Sequence, residues 1–402
     1  MNLTDEEVVI VGGGPAGITT ALTMITANPK LKNKIVVLEK DIYPRDKICA
    51  GAISYQGIKI LETLNVEFEV PFVSIKGVLL RSSIGESSFI YMDDYIRVVR
   101  RIEFDSSLAN LAVERGIRII DGVRVNTVEE HKQFVILTTS RGLLKAKYVI
   151  GCDGVGSVVR RAMGITKKNL INMQALEVDT EPLMEDYDRQ LLVFNISDRT
   201  FSGYTWDFPT IINGREMVCR GIYHIQWRNN KINLKTKLSD YLTSIGLDIN
   251  NYQRKYFSVQ AYNPDEVIGN ERMILVGESS GIDPLTGEGI TQAIKYGYLA
   301  GYFTADVLAK RNTFTEWGKV VRKSSLGRNL SFSIRLIKYF YGAPRPVVEK
   351  FLINYNIPRT KGYEFVIAYL FEIIKFFNTV FSAITISLTD RFTTRMRLIK
   401  KI

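Results

Sequence analysis

The stretch Val8 to Glu39, VVIVGGGPAGITTALTMITANPKLKNKIVVLE, decides how the chain is read. Val8 to Val11 is a short apolar run, as expected of a strand buried on both faces. Gly12, Gly14 and Gly17 follow in the pattern G-x-G-x-x-G, with Pro15 and Ala16 between the last two. In that pattern the first glycine allows the tight turn, the second lets the backbone approach a pyrophosphate, and the third lets the next helix pack closely on the strand. The unpaired N–H groups and positive dipole end of that helix then face the phosphates. Asn28-Pro29 stops the helix and Ile35 to Leu38 returns as a second strand. Glu39 ends it 22 residues after Gly17, where an acid can accept hydrogen bonds from a ribose hydroxyl. Glycines also punctuate ordinary turns, but the flanking strand, helix and acid together indicate a dinucleotide site.

Working outward, DIYPRDKICAGAIS (41–54) carries Arg45, Lys47 and Cys49 ahead of the small residues Ala50-Gly51-Ala52. That leaves room for a flat ligand against the backbone; the alternative is a plain loop with a buried thiol. Ile75 to Val99 has strand-like composition with turn signals, and is expected to leave the nucleotide domain for a sheet. RIEFDSSL (101–108) opens a helix that runs to about Arg115 before Gly116. Arg101 could meet a pyrophosphate with Asp105 orienting it; otherwise the two form an exposed i,i+4 pair worth about 0.3–0.5 kcal/mol. Short strands over 117–150 end in YVIGCDG, where Asp153-Gly154 turns into a helix with Val158, Val159 and Arg160. A third strand over 272–276 runs into GESSGIDPLTGEGI (277–290) and a helix through Leu308. There Gly287 and Gly289 bring N–H groups to a helix start able to stabilise negative charge on a reduced cofactor. Three distant segments thus each aim a strand end and a helix start at one ligand.

Residues 165–262 are richer in aromatics and turn residues and read as a second domain. In GYTWDFP (203–209), Tyr204, Trp206 and Phe208 alternate with Thr205 and Asp207, so a strand puts all three rings on one face, as core or as ligand wall.

With 402 residues, 46% hydrophobic and 24% charged, the chain can bury a large core and disorder is excluded. Three scattered cysteines, and no signal peptide ahead of the first strand, point to a reducing cytosolic side with no disulfide framework and no metal site. Two histidines exclude a histidine-rich metal centre. The net charge of +11 is uneven: residues 310–402 hold eighteen Lys and Arg against five Asp and Glu, a net +13 that leaves −2 for the rest. Phe365 to Leu388 is apolar, but Glu372 and Lys375 near its middle argue against a membrane span. One narrow polar stripe followed by Arg391, Arg395, Arg397, Lys400 and Lys401 fits an interfacial helix with basic anchors. A helix buried in this protein or its dimer is the alternative. The expected location is cytoplasmic, peripheral at the inner face of the cell membrane, with no nucleic-acid partner.

Taken together, residues 8 to about 310 resemble the flavoprotein superfamily of the p-hydroxybenzoate hydroxylase type. Within it, DKICAGAIS (46–54), YTWDFP (204–209) and DPLTGEGI (283–290) look like the geranylgeranyl reductase family, whose members saturate C=C bonds of prenyl chains. The resemblance implies an α/β fold: a Rossmann-like FAD-binding domain (1–74, 100–164 and 266–310) interleaved with an antiparallel-sheet substrate domain (75–99 and 165–265). A helical, basic region (311–402) follows. It implies FAD contacts from the first turn and from Glu39, Lys40, Arg45, Cys49, Ala50, Gly51 and Arg101. Further contacts come from Asp153, Gly154, Gly277, Glu278, Gly287, Gly289 and Ile290. Tyr204, Trp206, Phe208 and Pro284 would line the substrate cavity, and Cys49 at the flavin face would donate a proton or shape that cavity. Electrons would come from NAD(P)H or ferredoxin, with a quinol as a further option, and the substrate would be a prenyl lipid or quinone. Two departures stand out: Cys49-Ala50-Gly51 where the family commonly has Cys-Gly-Gly, and Glu278 where Asp is usual. The alternatives are a flavin monooxygenase and a non-catalytic flavoprotein or lipid-binding protein.

Overall fold

The computed structural model describes residues 4–342 other than 68, 91–95, 166–170, 187–189 and 227–230, together with Glu349. These lie in one compact unit, Met1–Asn354; the second, Tyr355–Ile402, and with it the expected interfacial helix, falls outside the described residues.

In chain order, β1 (Thr4–Val11), α1 (Pro15–Ala27) and β2 (Ile35–Leu38) form the first unit, followed by β3 (Ala52–Ser54) and α2 (Tyr55–Thr63). Then come β4 (Phe72–Ile75), β5 (Gly77–Ser82), β6 (Gly85–Ile90), β7 (Ile96–Val99) and α3 (Arg101–Glu114). Next are β8 (Arg118–Ile120), β9 (Val125–Glu130), β10 (Val135–Thr139), β11 (Gly142–Gly151) and α4 (Val158–Ala162). They lead to β12 (Asn172–Thr180), β13 (Leu191–Asn195), β14 (Gly203–Ile212), β15 (Arg215–Gln226), α5 (Leu234–Ser244) and β16 (Lys255–Gln260). The chain continues through β17 (Met273–Leu275), α6 (Ile290–Leu308), α7 (Trp317–Lys323) and α8 (Ser325–Gly342).

In the first sheet, β8, β2, β1, β11 and β17 run parallel in that order, with β10 and β9 antiparallel beside the N-terminal half of β11. This is the doubly wound order, in which ligands bind at the carboxyl ends of the strands where the order reverses, here between β1 and β11. Val8, Val9 and Ile10 are fully buried, as a strand covered on both faces requires.

In the second sheet the order is β16-β12-β15-β14-β13-β5-β6, antiparallel apart from the β13–β5 pair. One face carries Leu176, Val178 and Ile222 against Leu234, Leu238 and Leu242 of α5, an i, i+4, i+8 stripe. Asp207 also points this way, between Trp206 and Phe208 on the other face; its cross-strand partner Arg220 neutralises it at 2.8 Å. The stretch 75–99 divides: Gly77–Ile90 joins this sheet, whereas β4 and β7 form a separate three-stranded sheet with β3. That small sheet packs Ile75, Ile96 and Val98 against the aromatic face of the second.

Candidate active site

A chain of alternating charges lies at the N-terminus of α1. Glu39 Oε2 accepts from the Gly13 N–H at 2.9 Å and pairs with Arg45 Nη2 at 3.3 Å, while Oε1 accepts from the Asp41 N–H at 3.1 Å. Arg45 Nη1 reaches Asp105 Oδ2 at 3.0 Å, and Arg101 donates to both Asp105 oxygens at 2.6 Å. All four side chains are buried, so Arg101 and Asp105 are no surface pair. Tyr43 extends the network, its hydroxyl donating to the Gly13 carbonyl with the Arg45 guanidinium 5.5 Å from its ring centre.

The residues present fit a dinucleotide. The N-terminus of α1 has no side-chain cap, and a Cβ on its N-cap residue Gly14 would meet only Arg45 Nη2 at 3.6 Å and Arg101 Nη2 at 3.9 Å. Two guanidiniums and open helix N–H groups therefore surround the point where phosphates would come closest. Arg45 Nε is buried without a partner. A Cβ on Gly17 would sit 2.0 Å from the Gly12 carbonyl oxygen, so α1 reaches the turn only because the side chain is missing. Lys40 is not drawn in; it is exposed and pairs with Asp41.

The other strand ends meet this turn. Cys152 N–H donates to Val11 O at 2.7 Å and Val276 N–H to Gly151 O at 2.9 Å. Asp153 Oδ2 caps α4 through the Val158 N–H at 2.7 Å, while Oδ1 is buried and unpartnered. A Cβ on Gly277 would meet that of Ala16 at 2.7 Å, placing the turn after β17 against the first turn of α1. Glu278 pairs with Lys47 at 3.0 Å beside Gly154, which ties the cysteine loop to this corner.

The loop from Cys49 to Ala52 bridges the two cores. Cys49 packs on the core of the first sheet, and Ala50 and Ala52 pack on the aromatic face of the second. Gly51 donates its N–H to Cys49 Sγ at 3.4 Å. Burial pushes the Cys49 thiol above its ordinary range, against the pull of the nearby Arg101 guanidinium, so it stays protonated at neutral pH.

On the aromatic face, Tyr204, Trp206 and Phe208 stand in one row along β14, ring centres 6.2 and 6.3 Å apart. Phe194 joins them at 5.1 Å from Tyr204 and 5.3 Å from Phe208, and Tyr223 at 5.2 Å from Tyr204. A Cβ on Gly221 would lie 2.1 Å from the Trp206 ring, so the indole lies flat across β15. The loop before α6 closes this wall: Tyr223 donates to Pro284 O at 2.8 Å, Tyr204 donates to Thr286 O, and Gly287 sits against both rings. Gly289 caps α6 without a side-chain bond, and Ile290 is buried as its first residue.

Tyr43, Phe194 and Tyr223 were not legible as site residues. For Tyr223 a signal existed in the alternation of Cys219, Gly221, Tyr223 and Ile225; Phe194 and Tyr43 reach the site through strand order and loop path.

The comparisons agree with this geometry. The family model described as FAD binding domain matches residues 5–237. The chain is 26% identical to a digeranylgeranylglycerophospholipid reductase of Methanococcus vannielii, covering 83% of this chain and 85% of that one. It is 23% identical to a menaquinone reductase of Mycobacterium tuberculosis, covering 84% of each. It shares the fold of a geranylgeranyl bacteriochlorophyll reductase-like protein from Thermoplasma acidophilum, with a TM-score of 0.76, 20% identity, and 92% and 96% of the two chains covered. With a dinucleotide cradle in place and the match running over more than half its length, the chain belongs to the FAD binding domain family and is an FAD-dependent, geranylgeranyl reductase-like oxidoreductase.

Proposed function

We propose that the protein saturates C=C bonds in the prenyl chains of a lipid or quinone. The observation that carries this reading is the cysteine loop between the two cores, with a protonated thiol on one side and a wall of five aromatic rings on the other. An isolated alkene has no carbonyl to polarise, so alignment and protonation must supply much of the barrier reduction. When bound and reduced, FAD supplies a hydride to one alkene carbon. Arg45 and Arg101 hold the pyrophosphate, Glu39 takes a ribose hydroxyl, and Asp153, Gly154, Gly277 and Glu278 meet the rest of the cofactor. Tyr204, Trp206, Phe208 and Pro284 exclude water from the prenyl chain, and Cys49 Sγ holds the proton for the second carbon. The electrons come from an external donor, NAD(P)H or ferredoxin. A membrane-borne substrate also accords with peripheral attachment through the basic tail; among the described residues no helix is long and apolar enough to cross a membrane.

The test is anaerobic reoxidation of the dithionite-reduced protein by a geranylgeranyl lipid, with mass spectrometry of the product for added hydrogen. Cys49→Ser should keep FAD and accept electrons from dithionite, but slow reoxidation by about 10²–10⁴. Cys49→Ala separates chemistry from shape, since a cavity role tolerates both substitutions equally. Reoxidation by dioxygen alone, never by the lipid, would replace this reading with that of a monooxygenase.

A further inference from the structure

Residues 46–51, the segment that carries Cys49, form one side of a closed circuit of contacts. At its C-terminal end the Gly51 carbonyl accepts from the Val99 N–H at 3.1 Å. A Cβ on Gly51 would lie 2.0 Å from the Val99 carbonyl oxygen, so the two backbones touch there. Val99 ends β7, and the next residue, Arg100, donates to both oxygens of Asp179 on β12, at 3.2 and 3.3 Å. Asp179 Oδ2 also accepts from Lys255 Nζ of β16 at 3.0 Å. Lys255 Nζ in turn lies 3.8 Å from Asp46 Oδ2, which returns the circuit to the N-terminal end of the segment.

The circuit is anchored on the face that bears the aromatic wall. Asp179 pairs directly with Cys219, and Cys219 with Phe208; directly paired residues share a face of a sheet, so Asp179 stands in the Phe208 row, two strands away. Arg100, Asp179 and Lys255 are mostly buried, while Asp46 is half-exposed. Charges on such a face are costly unless paired, and here two acids and two bases balance. Asp179 serves both bases. Without its carboxylate, among the described residues Arg100 keeps no ion pair and Lys255 only the longer one to Asp46.

We propose that Asp179 is a positioning residue for Cys49: by closing the circuit it fixes the distance of the thiol from the aromatic wall. The inference rests on the reading of Cys49 as proton donor. Protonating an isolated alkene needs sulfur and carbon aligned, and a misplacement of about 1 Å can cost about 10²-fold in rate. Residues 46–51 are neither helix nor strand, so the place of Cys49 depends on what holds the segment. Arg45 and Lys47 tie this stretch to the cofactor side, at Glu39, Asp105 and Glu278. Among the described residues, Asp46 alone ties it by charge to the sheet that bears the wall, and it does so through the lysine that Asp179 holds.

The test uses the full-length protein with FAD bound and the variants Asp179→Asn, Asp179→Glu, Lys255→Gln and Asp46→Asn. The first readout is the rate of iodoacetamide alkylation of Cys49, followed by peptide mass spectrometry at one mildly alkaline pH. Asp179→Asn and Asp46→Asn remove a negative charge from the circuit, whereas Lys255→Gln removes a positive one. A purely electrostatic effect on the thiol would therefore speed the first two and slow the third. Opening the circuit frees the segment in all three, so all three should be alkylated about three- to tenfold faster, with Asp179→Glu near wild type. A merely structural carboxylate would lower the melting temperature without moving that rate. The second readout is turnover of a geranylgeranyl-glycerol lipid in detergent micelles. Asp179→Asn should lose about 10- to 100-fold in kcat with KM within about twofold, and Asp179→Glu should recover most of the loss. Equal alkylation rates in all five proteins, or rates that follow the sign of the charge removed, overturn the proposal. So does an unchanged kcat in Asp179→Asn. Faster alkylation in all three variants of a protein whose wild type never turns over the lipid overturns the reductase reading instead. Should Asp179→Asn fail to hold FAD, Asp46→Asn and Lys255→Gln decide, because they open the same circuit by removing opposite charges.

Discussion

Asp105 offers a direct test of the charge chain at the cofactor turn. Its carboxylate is 1% exposed and accepts two bonds of 2.6 Å from Arg101, with Arg45 at 3.0 Å. In Asp105→Ala, two buried guanidiniums are left facing the single carboxylate of Glu39. Removing one partner from a buried charge network costs about 3–5 kcal/mol, because the remaining charges stay desolvated and unpaired. At about 1.2 °C per kcal/mol for a chain of 402 residues, the melting temperature should fall by about 4–6 °C. The same two guanidiniums flank Gly14, so a bound pyrophosphate would supply the missing negative charge. Scanning calorimetry of wild type and variant, each with no ligand, saturating FAD or saturating riboflavin, should show FAD narrowing the gap between them. Riboflavin, which lacks the pyrophosphate, should leave it unchanged. A gap that FAD does not narrow would refute the placement of both arginines on the phosphates, and a fall under about 2 °C would refute the account of the network as buried and unscreened.

Three further outcomes follow from individual contacts. Gly14→Val should fold, because its Cβ would meet only arginine tips, yet lose the flavin colour; Gly17→Ala, whose Cβ would lie 2.0 Å from Gly12 O, should lose thermal stability as well. Equal stability of the two variants would contradict this division. Gly221→Ala places a methyl 2.1 Å from the Trp206 ring and should leave FAD binding intact while the KM for a prenyl lipid rises about tenfold; an unchanged KM would remove Trp206 from the substrate wall. Finally, the Glu177 carboxyl is raised from 4.5 to about 7 on folding. The stability it contributes is fully present below about pH 4.5 and is lost as pH rises through 7. Wild type should therefore lose about 3 kcal/mol relative to Glu177→Gln across that window, read from urea midpoints at several pH values. Parallel pH curves for the two proteins would show the carboxyl to be unperturbed.

Local pattern was enough to read the strand, turn and helix of residues 8–39, α3 over 101–114, and the row of rings on β14. Each of these depends on spacing within one or two turns of chain: period two puts Tyr204, Trp206 and Phe208 together, and the missing Gly17 side chain brings α1 onto β1. The helix boundaries were legible for the same reason, since Asn28-Pro29 and Gly116 act on their immediate neighbours.

What pairs with what was decided only by the tertiary structure. From sequence, Arg101–Asp105 read equally well as a surface pair, and the loop at Cys49 as a plain one. Burial of the first, and the position of the second between two cores, depend on where α3 and β12 are laid down. Glu177 had no local signature at all. Its surroundings come from β15 and β16 on either side and from Arg100 and Cys219, residues separated by tens of positions. Hydrophobic period specifies which face of a strand is buried, and glycine spacing specifies how closely two backbones approach. Strand order sets which charge meets which, and that order follows from the packing of the whole chain.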